Sequence, residues 1–313
     1  MVTDADRERS SCPDICVVVP TRDRPVLLRR AVEAILGQEY AGHIECVIVF
    51  DQSEPHELDL PQRAGRSVTC LTNTRTPGLA GARNSGVVNT SAELVAFCDD
   101  DDEWLPGKVG AQVALLREHP DDAVVATGIL VNYNGTDHER RAPERPLTHR
   151  DFLRDRWMEV NPCTVMIRRR PLLEEIGLVD ERIPGGYGED YEWLLRASSA
   201  TAIRSVPDPL VRVNWSQSSF FSSRWRTIIS ALHYLLARHP DFEQEPAGLA
   251  RIEGQIAFAH AGLGDSATAR SWARRALGHS RREPRAYVAL LCSTGLLSNG
   301  AVLKLAHRAG RGI

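Results

Sequence analysis

Short runs of β-branched and aliphatic residues, each halted at a polar or turn-forming residue and separated by stretches of helical length, set the main constraint on this chain. Ile15–Val19 stops at Pro20, Ile44–Phe50 stops at Asp51, and Leu94–Cys98 runs into four consecutive aspartates; a further run, Val68–Leu71, lies between them. Pro25–Leu36 has helical spacing, with Val26, Leu27, Ala31, Ile35 and Leu36 on one side and Arg29, Arg30 and Glu33 on the other. Leu79–Asn89 predicts a helix rich in small residues, and Gly107–Glu118 another. Strands alternating with helices are the signature of a layered α/β domain with a largely parallel sheet. In such a sheet polar groups at the carboxyl ends of strands line the ligand crevice.

Further along, Ala123–Val131 and Thr164–Ile167 predict strands, and the polar segment Asn132–Pro146 a long loop. Glu189–Ser198 predicts a helix with Tyr191, Leu194 and Leu195 on its apolar face. After Ser223 the pattern is helical throughout, rich in Ala, Arg and Leu. Gly254–Tyr287, with small residues at Ala257, Ala261, Ala273 and Ala276 and a turn at Gly264-Asp265, resembles one degenerate tetratricopeptide unit. One unit does not make a solenoid, so this region is expected to be a helical cap. The expected organisation is a flexible N-terminus (1–14), an α/β domain (15–219) and a helical extension (220–313), which 313 residues with 42% apolar content can support.

The net charge of -3 suggests no strongly basic nucleic-acid binder, and nucleic acid is not an expected partner. Charge is divided unevenly. Phe220–Ile313 holds 13 Lys and Arg against 6 Asp and Glu, a net +7, which leaves -10 for Met1–Ser219. The basic region either keeps helices soluble or rests against anionic lipid, each cation near such a surface contributing about 1 kcal/mol. No apolar run approaches the roughly 18 residues that span a bilayer, and Met1–Ser10 is polar, which predicts neither a leader nor a membrane span. Cys16, Cys46 and Cys98 sit inside strand-like runs as small buried hydrophobes, which favours a reducing cytoplasm. Cys12 and Cys16 have no second pair or nearby histidine to complete a zinc site, and the sequons at Asn89, Asn134 and Asn214 carry no weight without a secretory signal.

The chemistry concentrates in Ala96–Trp104, AFCDDDDEW. Adjacent carboxylates repel, and at a strand end a hard divalent cation gives them a purpose. Mg2+ or Mn2+ bound by one or two carboxylates keeps positions open for diphosphate oxygens. A solvated acidic turn capping the next helix is the alternative, and the cluster alone does not separate the two.

Five ordered motifs carry a resemblance. They are Val18–Arg24 (VVPTRDR), Glu45–Ser53 (ECVIVFDQS), Gly78–Gly86 (GLAGARNSG), the acidic run, and Gly188–Arg196 (GEDYEWLLR). Over roughly residues 15 to 215 the chain resembles the family 2 glycosyltransferases, inverting nucleotide-sugar enzymes with the GT-A fold. The resemblance implies that Asp51 reads the nucleobase, its carboxylate accepting from a uracil imide N–H, and that Pro20 and Thr21 line the same pocket. It places Arg83 beside the nucleotide, Asp99 at the ribose and metal, and Asp101 on the metal that bridges the diphosphate. The four-aspartate run leaves the register open, so that Asp100 or Asp102 can share those tasks. Asp190 corresponds to the general base that takes the acceptor's proton.

Glu189, Tyr187, Trp104 and Arg212 are further candidates for acceptor contact or support. Tyr187 lies in the glycine-rich Pro184–Gly188, read as an acceptor-side loop, and Trp104 and Trp193 are candidates either for sugar contacts or for core. Asn214 stands where many relatives have a histidine, which argues against a metal ligand there. The expected activity is metal-dependent inverting transfer from a nucleotide-diphosphate sugar, most readily a UDP-sugar, to a saccharide, lipid-linked saccharide or natural product. A homodimer and peripheral membrane contact are left open. The rivals are a nucleotidyltransferase, against which Pro20–Pro25 lacks a glycine-rich phosphate loop, and a non-catalytic sugar-nucleotide-binding scaffold with a protein-binding cap, against which the acidic run and Asp190 stand.

Overall fold

The computed structural model describes residues 12–133, 135–215, 224–295, 297, 299–300 and 302. The predicted flexible N-terminus, apart from residues 12–14, and the predicted domain boundary at 219/220 lie outside them, as does the Asn134 sequon. Two compact units are present. The first carries residues 12–148, Trp157–Glu181 and Glu189–Trp215; the second carries His149–Arg156, Arg182–Gly188 and the described residues from 224 onward. Two short segments that the sequence places inside the α/β domain thus group with the helical region.

In chain order the first unit has β1 (Ile15–Thr21), α1 (Pro25–Leu36), β2 (Ile44–Phe50), β3 (Arg66–Thr72), α2 (Leu79–Val88), β4 (Leu94–Phe97), β5 (Glu103–Trp104), α3 (Lys108–Glu118), β6 (Val124–Tyr133), β7 (Thr136–Arg140), β8 (Met166–Arg168), α4 (Glu189–Ala200) and β9 (Arg204–Trp215). The strands form one sheet in the order β3-β2-β1-β4-β8-β6-β9-β5, with β7 paired to β6. β3, β2, β1 and β4 are parallel, with Ile15 opposite both Ile44 and Leu94, whereas β8 enters antiparallel to both β4 and β6. The sheet is therefore mixed but mainly parallel along its first half, as expected.

Both faces of β1 are covered, which explains why its sequence is apolar without alternation. Ile15, Val17 and Val19 join Leu28, Ala31, Val32 and Ile35 of α1 and Val109, Val113 and Leu116 of α3 in one core. Val18 points the other way, onto Gly86 of α2, where a Cβ would come within 2.3 Å of its side chain. The small residues of α2 are thus the condition for its close approach to the sheet. At Gly81 an added Cβ would lie 1.9 Å from the carbonyl oxygen of Thr76, so the same helix also grips the turn before it.

Asn132–Pro146 is only partly the loop expected from sequence. Thr136–Arg140 forms β7, antiparallel to β6 with Ile129 opposite Arg140. Its residues, TDHER, are polar and mostly exposed, so it is a strand through its ladder to β6 and not through an apolar pattern.

The second unit contains the short helix His149–Arg154 and helices α5 (Trp225–Arg238), α6 (Pro246–Gly262), α7 (Ser266–His279) and α8 (Pro284–Ser293). Ala250, Ala257, Ala273, Ala276, Ala286 and Ala289 pack with Phe258 into its core. Gly264 turns the chain at φ 79°, and the Asp265 carboxylate caps α7 by accepting from the Thr268 N–H. The helical hairpin read from the sequence is present. Gly185, Gly186 and Gly188 all adopt positive φ, the unusual dihedrals expected of that loop.

Gly86→Ala is expected to destabilise the first unit by about 1–3 kcal/mol through overpacking against Val18. Gly110→Ala, where a Cβ meets nothing within 4 Å inside α3, is expected to stabilise it by about 0.5–1 kcal/mol. Urea unfolding of both variants checks the pair of signs.

Candidate active site

Three strand ends and two helix starts of the first unit supply the candidate groups. Asp51 follows β2. Its Oδ1 accepts from Asn73 Nδ2 (2.7 Å) and from the Gly78 N–H (3.0 Å), and its Oδ2 accepts from Gln52 Nε2 (3.0 Å). Burial alone would raise this carboxyl, but the three donors hold it below the ordinary aspartate value. Asp51 is thus an ionised, fixed acceptor. Asn73 in turn accepts from Ser85 Oγ of α2 (3.0 Å), tying Asp51 to the helix that carries Arg83.

The acidic turn after β4 is distributed among separate partners. Thr21 Oγ1 donates to Asp100 (2.7 Å), and Arg24 donates to Asp100 (3.1 Å) and Asp101 (2.8 Å). Asp102 accepts from the Asn214 N–H (3.0 Å), while Asn214 Nδ2 donates to the Asp101 carbonyl (2.6 Å). Asp99 accepts from Arg83 Nη2 (2.8 Å). Asp100, Asp101 and Asp102 are all raised above the usual aspartate value, burial being the main cause and mutual repulsion adding to it. Burial and repulsion both disfavour the ionised forms here, and a hard cation bound to the turn would relieve both.

The carboxylate arrangement bears on the register that the four-aspartate run left open. Asp99 and Asp102, with the Cys163 thiol, are the groups whose ligand atoms lie within 4.8 Å of one another among the described residues; Asp101, assigned to the metal from the motif, is engaged by Arg24. The Cys163 thiol is pushed well above its usual value by its hydrogen bond to Cys98 and by burial, so it stays protonated. Mg2+ and Mn2+ take oxygen ligands in preference to sulfur, so within this group Asp99 and Asp102 offer the atoms that suit such an ion.

Arg83 is the most buried charge of the site, its side chain 3% exposed. It bridges Asp99 and Glu189, donating to Glu189 from Nη1 at 3.0 Å. Although it lies on α2, its side chain is turned inward and away from solvent. Glu189 opens α4, and burial and the neighbouring Asp190 push its carboxyl up to about 7 against the opposing pull of Arg83. Asp190 and Arg83 line the same depression, together with Phe97, Asn161, Val179 and Trp193. α4 is locked by Arg196, which donates to Glu192 and to the carbonyls of Ile176, Gly177 and Leu178, and by Trp193 Nε1, which donates to the Gly177 carbonyl.

The remaining candidates have the following surroundings. Trp104 is buried in the core, its ring face 3.9 Å from the Lys108 amine, so it is no sugar contact. Arg212 on β9 donates to Asp137 of β7 (3.0 Å) and is spent on that hairpin. Tyr187 belongs to the Arg182–Gly188 segment of the second unit. Pro20 is buried at the end of β1, opposite Val49. Reading the sequence alone missed Asn73, Arg24 as a partner of the acidic turn, Cys163, and Glu181. Glu181 accepts from Asn84 Nδ2 (2.7 Å) and the Thr76 N–H (3.2 Å) and pairs with Arg75. Burial opposes ionisation, yet these donors bring it down to about 2. For Asn73 the signal was its place in a polar turn after a strand; for Glu181 there was none.

These features meet in the comparisons with known proteins. The model of the family described as glycosyl transferase family 2 matches residues 16–177, and the chain belongs to that family. It is 23% identical over 240 residues to the UDP-Glc:alpha-D-GlcNAc-diphosphoundecaprenol beta-1,3-glucosyltransferase WfgD of Escherichia coli, covering 76% of this chain and 89% of that one. The fold matches residues 1–349 of S. aureus TarS in complex with UDP, with a TM-score of 0.59 and 17% identity over 95% of this chain and 92% of that one. It also matches the mannosyltransferase PcManGT from Pyrobaculum calidifontis in complex with GDP-Man and Mn2+, with a TM-score of 0.53 and 17% identity over 95% and 88%. The protein is a glycosyltransferase with the GT-A fold. Among the described residues no helix is long and apolar enough to cross a membrane.

Lys108, wholly buried beneath the acidic turn, yields a stability prediction. Burial lowers its amine from the usual 10.5 to about 7, with Cys98 and Cys163 opposing the shift. Between those values the unfolded chain binds a proton that the native state has released, so the wild type gains stability as pH rises, and below about 7 the full penalty is present. Lys108→Met is expected to raise the unfolding temperature at about pH 6 and to lose that advantage toward pH 10. Thermal unfolding across the range reads it; a pH-independent difference would contradict the buried amine.

Proposed function

We propose that this glycosyltransferase moves a sugar from a UDP-sugar to a hydroxyl of a lipid-linked saccharide in surface polysaccharide synthesis, by a metal-dependent inverting displacement. The observation that carries the reading is the shared depression of Asp190 and Arg83, the arginine being bonded to Asp99. A base for the nucleophile and an acidic site for a leaving diphosphate thus belong to one connected set of side chains. WfgD, whose name specifies UDP-Glc and a diphosphoundecaprenol acceptor, supports the donor and acceptor class; UDP on TarS and Mn2+ on PcManGT support the nucleotide and the metal. A reducing, cytoplasmic setting agrees with free Cys16, Cys46, Cys98 and Cys163, all buried.

In this reading Asp51 accepts an N–H from the uracil ring, its position set by Asn73 and Gly78. Thr21 keeps Asp100 in place between β1 and the acidic turn. Asp99 with Asp102 or Asp101 would hold a divalent cation, which would supply positive charge against the departing diphosphate. Asp190 takes the proton of the acceptor hydroxyl as its oxygen bonds to the anomeric carbon and the bond from that carbon to the diphosphate oxygen breaks. One displacement of this kind inverts the anomeric centre. Arg83 contributes positive charge buried beside the reacting groups, where it is stronger than in water.

Thermal shift with UDP, GDP, ADP and dTDP, each with Mn2+ or EDTA, tests donor and metal together. A metal-dependent rise with UDP is expected, and Asp99→Asn is expected to abolish its metal dependence; no rise with any nucleotide would favour a non-catalytic scaffold. Asp190→Asn is expected to keep UDP binding while transfer falls at least about a hundredfold. Undiminished transfer would remove Asp190 from the base role.

A further inference from the structure

We propose that Glu189 is a positioning residue that acts through Arg83, so that the placement of the base Asp190 follows the state of the donor-side carboxylate Asp99. The inference rests on the reading above, in which Asp99 lies at the donor diphosphate and Asp190 is the base. Arg83 spends its two terminal nitrogens on two carboxylates from opposite ends of the site, Nη2 on Asp99 at 2.8 Å and Nη1 on Glu189 at 3.0 Å. Its Nε is buried with no hydrogen-bond partner. A buried guanidinium needs paired carboxylates to offset its desolvation, and here those two are its ion-pair partners among the described residues. The nearest aromatic face, Phe97, is 6.0 Å away and adds little.

Glu189 has an alternative explanation as a negative charge at the start of α4, favourable to the helix dipole. A dipole role needs neither burial nor a specific partner. The Glu189 side chain is 9% exposed and aimed at Arg83, and the next residue in the chain is Asp190. The planar fork of an arginine fixes the angle between its two partners, which a lysine ammonium does not. Residues 99, 83 and 189 therefore form a rigid link from the end of β4 to the first turn of α4. When cation and diphosphate occupy Asp99, that carboxylate no longer serves Arg83 alone. The guanidinium then settles on Glu189 or on the phosphate, and the first turn of α4 settles with it.

The test uses the full chain with UDP and Mn2+ as the probe, reading amide hydrogen exchange of residues 189–194 and UDP affinity by calorimetry. In the wild type, UDP with Mn2+ is expected to slow exchange at the start of α4 by about fivefold or more, the lower end of ordinary coupling between sites. In Glu189→Gln that slowing is expected to vanish while UDP affinity stays within about threefold of wild type, since a positioning residue loses the coupling and not the binding. Glu189→Asp, which retains the charge, is expected to restore part of it. Arg83→Lys is expected to lose it as well, and Arg83→Lys/Glu189→Gln to be no worse than either single change, because residues acting through one contact are non-additive. Full slowing retained in Glu189→Gln, or additive losses in the double variant, overturns the proposal. If Glu189→Gln does not fold, the comparison of Glu189→Asp with Arg83→Lys decides on the same criterion. A wild type that binds no UDP with Mn2+ overturns the donor reading itself, and the inference falls with it; bound UDP without any change at residues 189–194 overturns the inference alone.

Discussion

Repulsion among the four aspartates that follow β4 is the constraint from which the rest of the site is built. Burial raises Asp100, Asp101 and Asp102, and the four are held by donors from several parts of the first unit: Thr21 at the end of β1, Arg24 just beyond it, Asn214 near the end of β9, and for Asp99 the Arg83 of α2. No local segment can hold this turn alone. It forms only once β1, β4 and β9 are in one sheet and α2 lies close against β1, which requires Gly86 beneath Val18. The small residues of α2, which look like weak helix formers, are thus tied to the geometry of the acidic turn, because they set how deeply Arg83 can reach.

The same dependence explains what the sequence made legible. β1, β2 and β4 could be read because each is apolar on both faces and ends at a polar residue, and Asp51 and the aspartate run could be read because they are those end residues. β7 could not, since TDHER has no apolar face and pairs only because β6 offers it an edge. Asp102 in place of Asp101 beside Asp99 depends on which way four consecutive carboxylates turn, a choice made by Arg24 and Asn214, the latter more than a hundred residues away. Trp104 was open between sugar contact and core; its burial follows from β5 pairing with β9, Trp104 opposite Val211. Arg212 pairs with Asp137 on β7, a partner that could not be foreseen because β7 itself was not legible.

Lys108 shows the cost of this design in stability. A wholly buried amine, whose side chain donates to Gln112 at 2.6 Å and stacks on Trp104, is poorly supported as a cation, and burial makes it give up its proton readily. It nonetheless lies close to Cys98 and Cys163, the thiols against the acidic turn. A group that gives up its proton there adds less positive charge beside those thiols than a permanent cation would.

An inverting transfer requires two groups that must not neutralise each other, a carboxylate that accepts a proton and carboxylates that bind the leaving group's counter-ion. Placed on one loop they would repel and raise one another's affinity for protons, spoiling the base. In the proposed mechanism they are placed on α4 and after β4, some ninety residues apart in sequence, and the buried Arg83 pairs with a carboxylate at each end. Arg83 lowers the repulsion between the two ends by pairing with a carboxylate of each, Asp99 and Glu189, and Asp190 lines the depression that Arg83 also lines. In the proposed mechanism the two adjacent acids at the start of α4 have different tasks, Glu189 pairing with the arginine and Asp190 acting as the base.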